Sequence, residues 1–305
     1  MSGRASDSVG VIVDVHTHLY PEAAGRNPVA WGRERAEHQW LACVAPEGRP
    51  SLQGWASVDR LLADMDAAGV DRAVILGWYW ENDATAREQN RFLAAAVRRH
   101  PDRLAAWASC DPGAGETALE TLHIAIDQEG LTGVGECLPQ VRGLTLADPR
   151  WQAVMAFARE RGLPLNLHVT EVGGPVYPGR IPTPLEAFLE LAEAWPTVPL
   201  ILAHWGGLLC FSRLNRRLRK RMDNVWFDTA ASPLLYDDRI YPAAVRAAGV
   251  GRILYGSDYP LRVYPKKQDG PDMTLALAAA RDSGLAEAEV GAVLGGNAAR
   301  LFGWA

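Results

Sequence analysis

The sequence predicts an α/β protein folded as one (β/α)8 TIM barrel domain over residues 1–305, and three observations predict it. Short apolar or β-branched runs alternate with amphipathic stretches eight times along the chain. The length of 305 residues suits one such barrel of about 250 residues plus insertions. Metal-binding residue types recur at the ends of the apolar runs, where barrels of this class carry their sites.

The first strand is expected at 11–16, where Val11-Ile12-Val13 opens the globular sequence, and the first amphipathic helix at 58–68. Between them residues 19–56 make a long connection rich in Trp31, Trp40, Trp55, Pro and Gly. Connections of that length are usually functional, and this loop insertion is expected to form a lid or a substrate wall. Further strands are expected at 72–77, 103–108, 131–136, 164–168, 199–204, 224–228 and 252–257, each an apolar or β-branched run. Helices follow them at 84–99, 116–128, 151–161, 184–194, 211–222, 239–248 and 273–283. Alternation of this kind requires parallel strands joined by crossover helices. Eight repeats favour closure into a barrel over an open sheet. The tail at 287–305 reads as terminal helices, with Asn297 ahead of Ala298-Ala299-Arg300-Leu301 as a helix cap.

Hydrophobic residues at 48% and charged ones at 22% are the proportions of a soluble globular protein. A net charge of -5 argues against a nucleic-acid or anionic-membrane partner, since both need a basic face. Only 213–221 is locally basic, and it reads as a solvated helix face. Cys43, Cys110, Cys137 and Cys210 lie far apart with no Cys-x-x-Cys pair, so reduced thiols are expected. Residues 1–10 lack the apolar core of a signal peptide. The most apolar stretch, 198–211, is too short for a membrane span and is broken by Pro199 and His204. A cytoplasmic protein acting on a small molecule is the expectation.

The chemistry starts at Asp14-Val15-His16-Thr17-His18. Residues two apart on a strand point to one face, so His16 and His18 can present two imidazoles to one ion. Three candidate partners end later apolar runs: His168 after Leu165-Asn166-Leu167, His204 after Ile201-Leu202-Ala203, and Asp258 after Leu254-Tyr255-Gly256-Ser257. Glu136 ends the fourth strand, and strand ends in a barrel share one face, so six polar groups converge. A lone histidine in such a place is more often structural, but this many at equivalent positions are hard to attribute to chance. Imidazole and carboxylate suit a divalent metal, with Zn²⁺ expected and Mn²⁺ the other option. Water bound to such an ion loses its proton at a pKa of about 7 in favourable cases. One ion is favoured. Glu136 is left open as a bridge to a second ion, a contact to substrate, a proton acceptor, or support for a ligand.

Substrate contacts are expected after strands 2, 5 and 8. Trp78, Tyr79 and Trp80 could line a flat apolar pocket. Glu171, Tyr177 and Arg180 follow strand 5 and Arg262 follows strand 8, and either arginine could clamp a carboxylate through its planar fork. Asp228, near the end of strand 7, is read as the partner of a ligand or the cap of the next segment.

Taken with Gly133-Val134-Gly135-Glu136, Asn166-Leu167-His168, Ala203-His204-Trp205-Gly206-Gly207, Gly256-Ser257-Asp258-Tyr259-Pro260 and Gly296-Asn297-Ala298-Ala299-Arg300-Leu301, the first motif makes the chain resemble the amidohydrolase superfamily. The resemblance is to its amidohydrolase-related branch, which includes aminocarboxymuconate semialdehyde decarboxylase. It implies that His16, His18, His168 and Asp258 hold a divalent metal, that His204 polarises the substrate or orients the water, and that Asp258 shuttles the proton. Many binuclear members bridge two metals with a carboxylated lysine on strand 4. The only lysines here are Lys220, Lys266 and Lys267, none near that position, so a lysine bridge is excluded. Glu136 stands there instead, as in a branch that resembles the TatD-type nucleases. The main expectation is hydrolysis of an ester, lactone or amide of a small, acidic or aromatic molecule. The alternative is non-oxidative decarboxylation, which shares the fold and the metal set. Relatives of this kind are often dimers, which leaves a homodimer open.

Overall fold

Parallel neighbours can be joined only by crossovers, and here every strand is followed by helix before the next begins. The structure, a computed structural model, describes residues 10–174 and 176–304. The strands are β1 (Val13–His18), β2 (Arg72–Leu76), β3 (Leu104–Trp107), β4 (Val134–Cys137), β5 (Leu165–Leu167), β6 (Leu200–Leu202), β7 (Val225–Asp228) and β8 (Ile253–Leu254). Two parallel ladders, β1-β2-β3 and β4-β5-β6-β7-β8, account for them. Both seams between the ladders are bonded. Ala108, just past β3, pairs with Val134 and donates its N–H to Gly133 O at 2.8 Å. Thr17 pairs with Tyr259 past β8, while Val15 donates to Tyr255 O and Asp258 to His16 O, each at 2.9 Å. Each strand is therefore bonded to the next, and the ring closes as the predicted barrel.

The helices are α1 (Glu22–Arg26), α2 (Pro28–Glu34), α3 (His38–Val44), α4 (Val58–Ala68), α5 (Asp83–Arg99), α6 (Glu116–His123), α7 (Pro149–Arg161), α8 (Leu185–Ala194), α9 (Arg216–Arg221), α10 (Ser232–Leu235), α11 (Ile240–Ala248), α12 (Thr274–Arg281), α13 (Glu287–Gly291) and α14 (Asn297–Phe302). Local signals set their ends. Ser57 accepts the Arg60 N–H at 3.1 Å to cap α4, and Gly69 closes it at φ 74°. Asp148 caps α7 ahead of Pro149, whose missing N–H is no loss in the first turn. In α4 the buried Val58, Leu61, Met65 and Ala68 fall on one stripe and face the strands.

Three expectations are corrected. The connection at 19–56 is no bare loop: α1, α2 and α3 lie in it. Trp31 and Trp40 are buried there with Tyr20, Trp78 and Trp80 in a satellite core beside the barrel mouth, while Cys43, Arg49 and Leu52 of the same insertion line the cavity, the substrate wall expected of it. The helix expected over 211–222 is broken. A 3-10 segment, Leu209–Leu214, precedes α9, and Asn215 between them accepts the Arg217 N–H at 3.0 Å, the side-chain competition that makes Asn a helix starter. Asn297 is not the N-terminal cap of the last helix. It is the first residue of α14, and its Nδ2 donates to Val250 O at 2.8 Å and Ile253 O at 2.7 Å, tying the last helix to β8.

All four cysteines are free. Among the described residues no helix is long and apolar enough to cross a membrane.

Candidate metal centre

The site grows from the inward face of β1. His16 and His18 turn their Nε2 atoms toward each other at 3.1 Å, with both residues buried. Gly256 makes room for this, since a Cβ there would stand 2.7 Å from the His16 Cβ. Asp258 Oδ1 lies 3.8 Å from His16 Nε2 and 3.6 Å from His18 Nε2. These three make one ligand group. Glu136, His168 and His204 make the second. The Glu136 carboxylate spans the two: Oε2 lies 3.6 Å from His18 Nε2, while Oε1 lies 2.8 Å from His168 Nδ1 and 3.6 Å from His204 Nε2. The six residues singled out at the strand ends thus converge on one floor.

Two nitrogens bound to one ion at about 2.1 Å stand about 3.0–3.4 Å apart for angles between a right angle and the tetrahedral one. The His16–His18 separation matches that bite. The donors are of the borderline and hard types that first-row divalent ions take. This is a site for a divalent metal.

The electrostatics agree. Burial works against the His16 imidazolium, but the Asp228 carboxylate 2.9 Å from Nδ1, with Glu136 and Asp258 beyond, pushes its pKa up to about 10. His204 is pushed up to about 9 against its burial by the nearby Glu136 and Asp258 carboxylates. Burial tends to raise Glu136, yet the His168 charge and hydrogen bond hold it well below the usual carboxylate range. Burial and the charge of His16 drive His18 down. A negative potential that holds protons this firmly holds a cation in their place.

Asp228 organises the floor from behind. It accepts from His16 Nδ1 at 2.9 Å, Asn166 Nδ2 at 2.9 Å, and the N–H groups of His204 at 3.1 Å and Ala230 at 3.0 Å. A carboxylate on the far nitrogen of a ligating histidine fixes its tautomer and ring orientation. His204 is oriented by its own Nδ1, 3.0 Å from Ala230 O. Both His204 and Asp258 hold left-handed backbone, at φ 57° and 65°, a conformation that costs energy outside glycine and gathers at functional sites.

Above the floor a cavity of about 350 Å³ opens, mostly apolar in lining. Trp78 and Tyr79 stack at 4.2 Å between ring centroids and form one wall, with Tyr79 5.5 Å from the His168 ring. Leu234, Leu235, Pro260 and Leu261 supply other apolar surface. Glu171, Tyr177 and Arg180 line it from the β5–α8 connection.

Two predicted substrate residues are elsewhere. Trp80 is buried in the satellite core, where its Nε1 donates to Gln89 Oε1 at 2.7 Å and its ring packs against Trp31 and Trp40 of the insertion. Arg262 donates its guanidinium to Ser51 O, and its N–H to Leu52 O at 2.9 Å, so it pins the insertion to the β8 loop. The sequence reading missed Asn166, Cys43 and Arg49. Asn166 was within reach, being two residues before His168 on one strand. Cys43 and Arg49 line the cavity from the insertion, where no periodicity marks a facing.

A family model described as Amidohydrolase matches residues 13–304. No curated protein matches the chain significantly. Among solved structures, the chain is similar to 5-carboxyvanillate decarboxylase from Sphingomonas paucimobilis, at 18% identity and a TM-score of 0.73 over 96% of this chain and 98% of that one. It is similar also to 5-carboxyvanillate decarboxylase from Novosphingobium aromaticivorans, complexed with manganese and 4-hydroxy-3-methoxy-5-nitrobenzoic acid, at 16% identity and a TM-score of 0.73 over 98% and 97%. A third is dihydroxybenzoic acid decarboxylase from a Polaromonas species, with bound manganese and the inhibitor 2-nitroresorcinol, at 18% identity and a TM-score of 0.65 over 96% and 97%. At these identities the likeness establishes the fold.

Proposed function

Since the chain belongs to the amidohydrolase family, we propose that it is a metal-dependent decarboxylase of a small aromatic carboxylic acid. The observation that carries this reading is the stacked Trp78–Tyr79 wall standing over a floor of His16, His18, Glu136, His168, His204 and Asp258. An aromatic wall suits a flat ring, and the metal-binding floor suits the acid group the ring carries. The named functions of the structural neighbours support the same choice over the hydrolysis first expected.

His16, His18, His168 and Asp258 would hold the ion, with Glu136 beside them. When bound, a divalent ion supplies positive charge that holds the carboxylate and steadies the charge left on the ring. Trp78 and Tyr79 orient the ring and exclude water from its face. The C–C bond breaks with its electron pair left on the ring carbon, and carbon dioxide departs. Asp258, which faces the cavity, gives that carbon its proton and recovers one from water. His204, fixed through Nδ1, turns Nε2 to the floor and donates to a substrate oxygen as charge builds there. The ion is proposed as Mn²⁺ or Zn²⁺, since three imidazoles and two carboxylates accept either.

One observation favours a second reading. The two oxygens of Glu136 face separate ligand groups, the arrangement a carboxylate needs to bridge two ions, and a bridged pair would favour hydrolysis. The test is elemental analysis of protein loaded with Mn²⁺ or Zn²⁺, followed by assays on 2,6-dihydroxybenzoate and 5-carboxyvanillate and on aryl esters and lactones. One equivalent of metal and release of carbon dioxide are expected. Two equivalents with ester or lactone cleavage alone would replace decarboxylation by hydrolysis.

A further inference from the structure

A second cavity lies on the flank of the barrel and shares no lining residue with the first. Its volume of about 360 Å³ matches that of the cavity over the metal-binding floor. A closed apolar cavity of about 150 Å³ accepts benzene, so there is room here for a ring and a polar head. Tyr20, Trp55 and Phe92 give it an aromatic lining, with the Tyr20 and Trp55 rings edge to face at 5.7 Å between centroids. Tyr20 is buried, whereas Trp55 and Phe92 are half-buried and leave surface uncovered there. Four charged residues line the same space. Glu22 and Arg26 cancel each other in an ion pair at 2.6 Å. Asp59 and Arg99 have no such partner: among the described residues neither has an opposite charge within 4 Å. Asp59 stands in the first turn of α4 and Arg99 in the last turn of α5, the ends at which a helix dipole favours each sign. The cavity thus offers one occupant an anion, a cation and ring surface.

We propose that this flank cavity is a binding site for a small zwitterion with an aromatic body, an aromatic α-amino acid. Its ring lies against Trp55 and Phe92, its carboxylate meets the Arg99 guanidinium, and its ammonium meets the Asp59 carboxylate. A ligand with a single charge leaves one of the two side chains unmatched, and an uncharged one leaves both. Burial of the ring supplies most of the affinity. Asp59 and Arg99 are exposed, so each ion pair is screened by water and adds selectivity more than strength. The site stands apart from the metal centre and does not depend on which reaction occurs there.

The test is a saturation-transfer NMR titration with three probes: L-phenylalanine, phenylpropanoate, which lacks the ammonium, and phenethylamine, which lacks the carboxylate. Native protein is expected to bind L-phenylalanine about three- to fivefold more tightly than either of the others. The preference holds with and without a chelator, because none of the six floor residues lines this cavity. Arg99→Gln brings L-phenylalanine down to the level of phenethylamine and leaves the amine unchanged. Asp59→Asn brings it down to the level of phenylpropanoate and leaves the acid unchanged. Both side chains are exposed, so neither exchange disturbs the core. Equal binding of the three probes, binding of none, loss of L-phenylalanine binding together with the metal, or an unchanged affinity in either variant would overturn the proposal.

Discussion

Asp228 shows how far the centre depends on a residue that does not line the cavity. Its two oxygens accept four hydrogen bonds and leave no room for an amide of the same shape to serve all of them, since an amide nitrogen donates where a carboxylate oxygen accepts. Asp228→Asn is expected to lower metal affinity by about 10- to 100-fold, measured by competition with a chromophoric chelator. An unchanged affinity would show that His16 holds its ring without help. The same scale explains why Trp78 and Trp80 part company. Both are aromatic and each is next to Tyr79 in the chain, but Trp78 is drawn to the cavity by stacking on Tyr79, while Trp80 is claimed by Gln89 and by rings from the insertion.

Among the elements, β8 is the shortest strand, at two residues, yet it leads directly to Asp258. Backbone pairing alone gives so short a strand little hold. Asn297 supplies the rest by binding the carbonyls of Val250 and Ile253 from α14. Asn297→Ala is expected to cost about 2 kcal/mol, because two largely buried acceptors lose their donor. Urea unfolding should show a lower midpoint at unchanged slope; a loss below about 0.5 kcal/mol would leave α14 held by apolar contact alone. The insertion follows a related logic. Its three short helices have too few turns to stand alone, and they persist because Trp31 and Trp40 are buried against Tyr20 and Trp80.

For the whole molecule, the centre couples metal, protons and stability. His16 is held at about 10 against its ordinary 6.5, and His204 at about 9. Between those values the metal-free fold keeps protons that the unfolded chain has released. That stabilisation is therefore complete below pH 6.5 and is lost as pH rises through the folded-state values. Metal-free protein is expected to remain folded on its large barrel core and to lose melting temperature from neutral pH toward 10. Metal-loaded protein, with its imidazoles already neutral ligands, should lack that fall. Parallel melting curves with and without chelator across this range would refute the coupling. By itself the sequence determined the eight alternating units, the closed barrel and the six floor residues, because strand period and strand ends are local patterns that a barrel brings to one face. Only the tertiary structure decided that Trp80 and Arg262 turn away from the cavity, that Arg49 and Cys43 line it, and that Asp228 stands behind His16. Those outcomes depend on which distant segments compete for a side chain, and no periodicity within one segment records that competition.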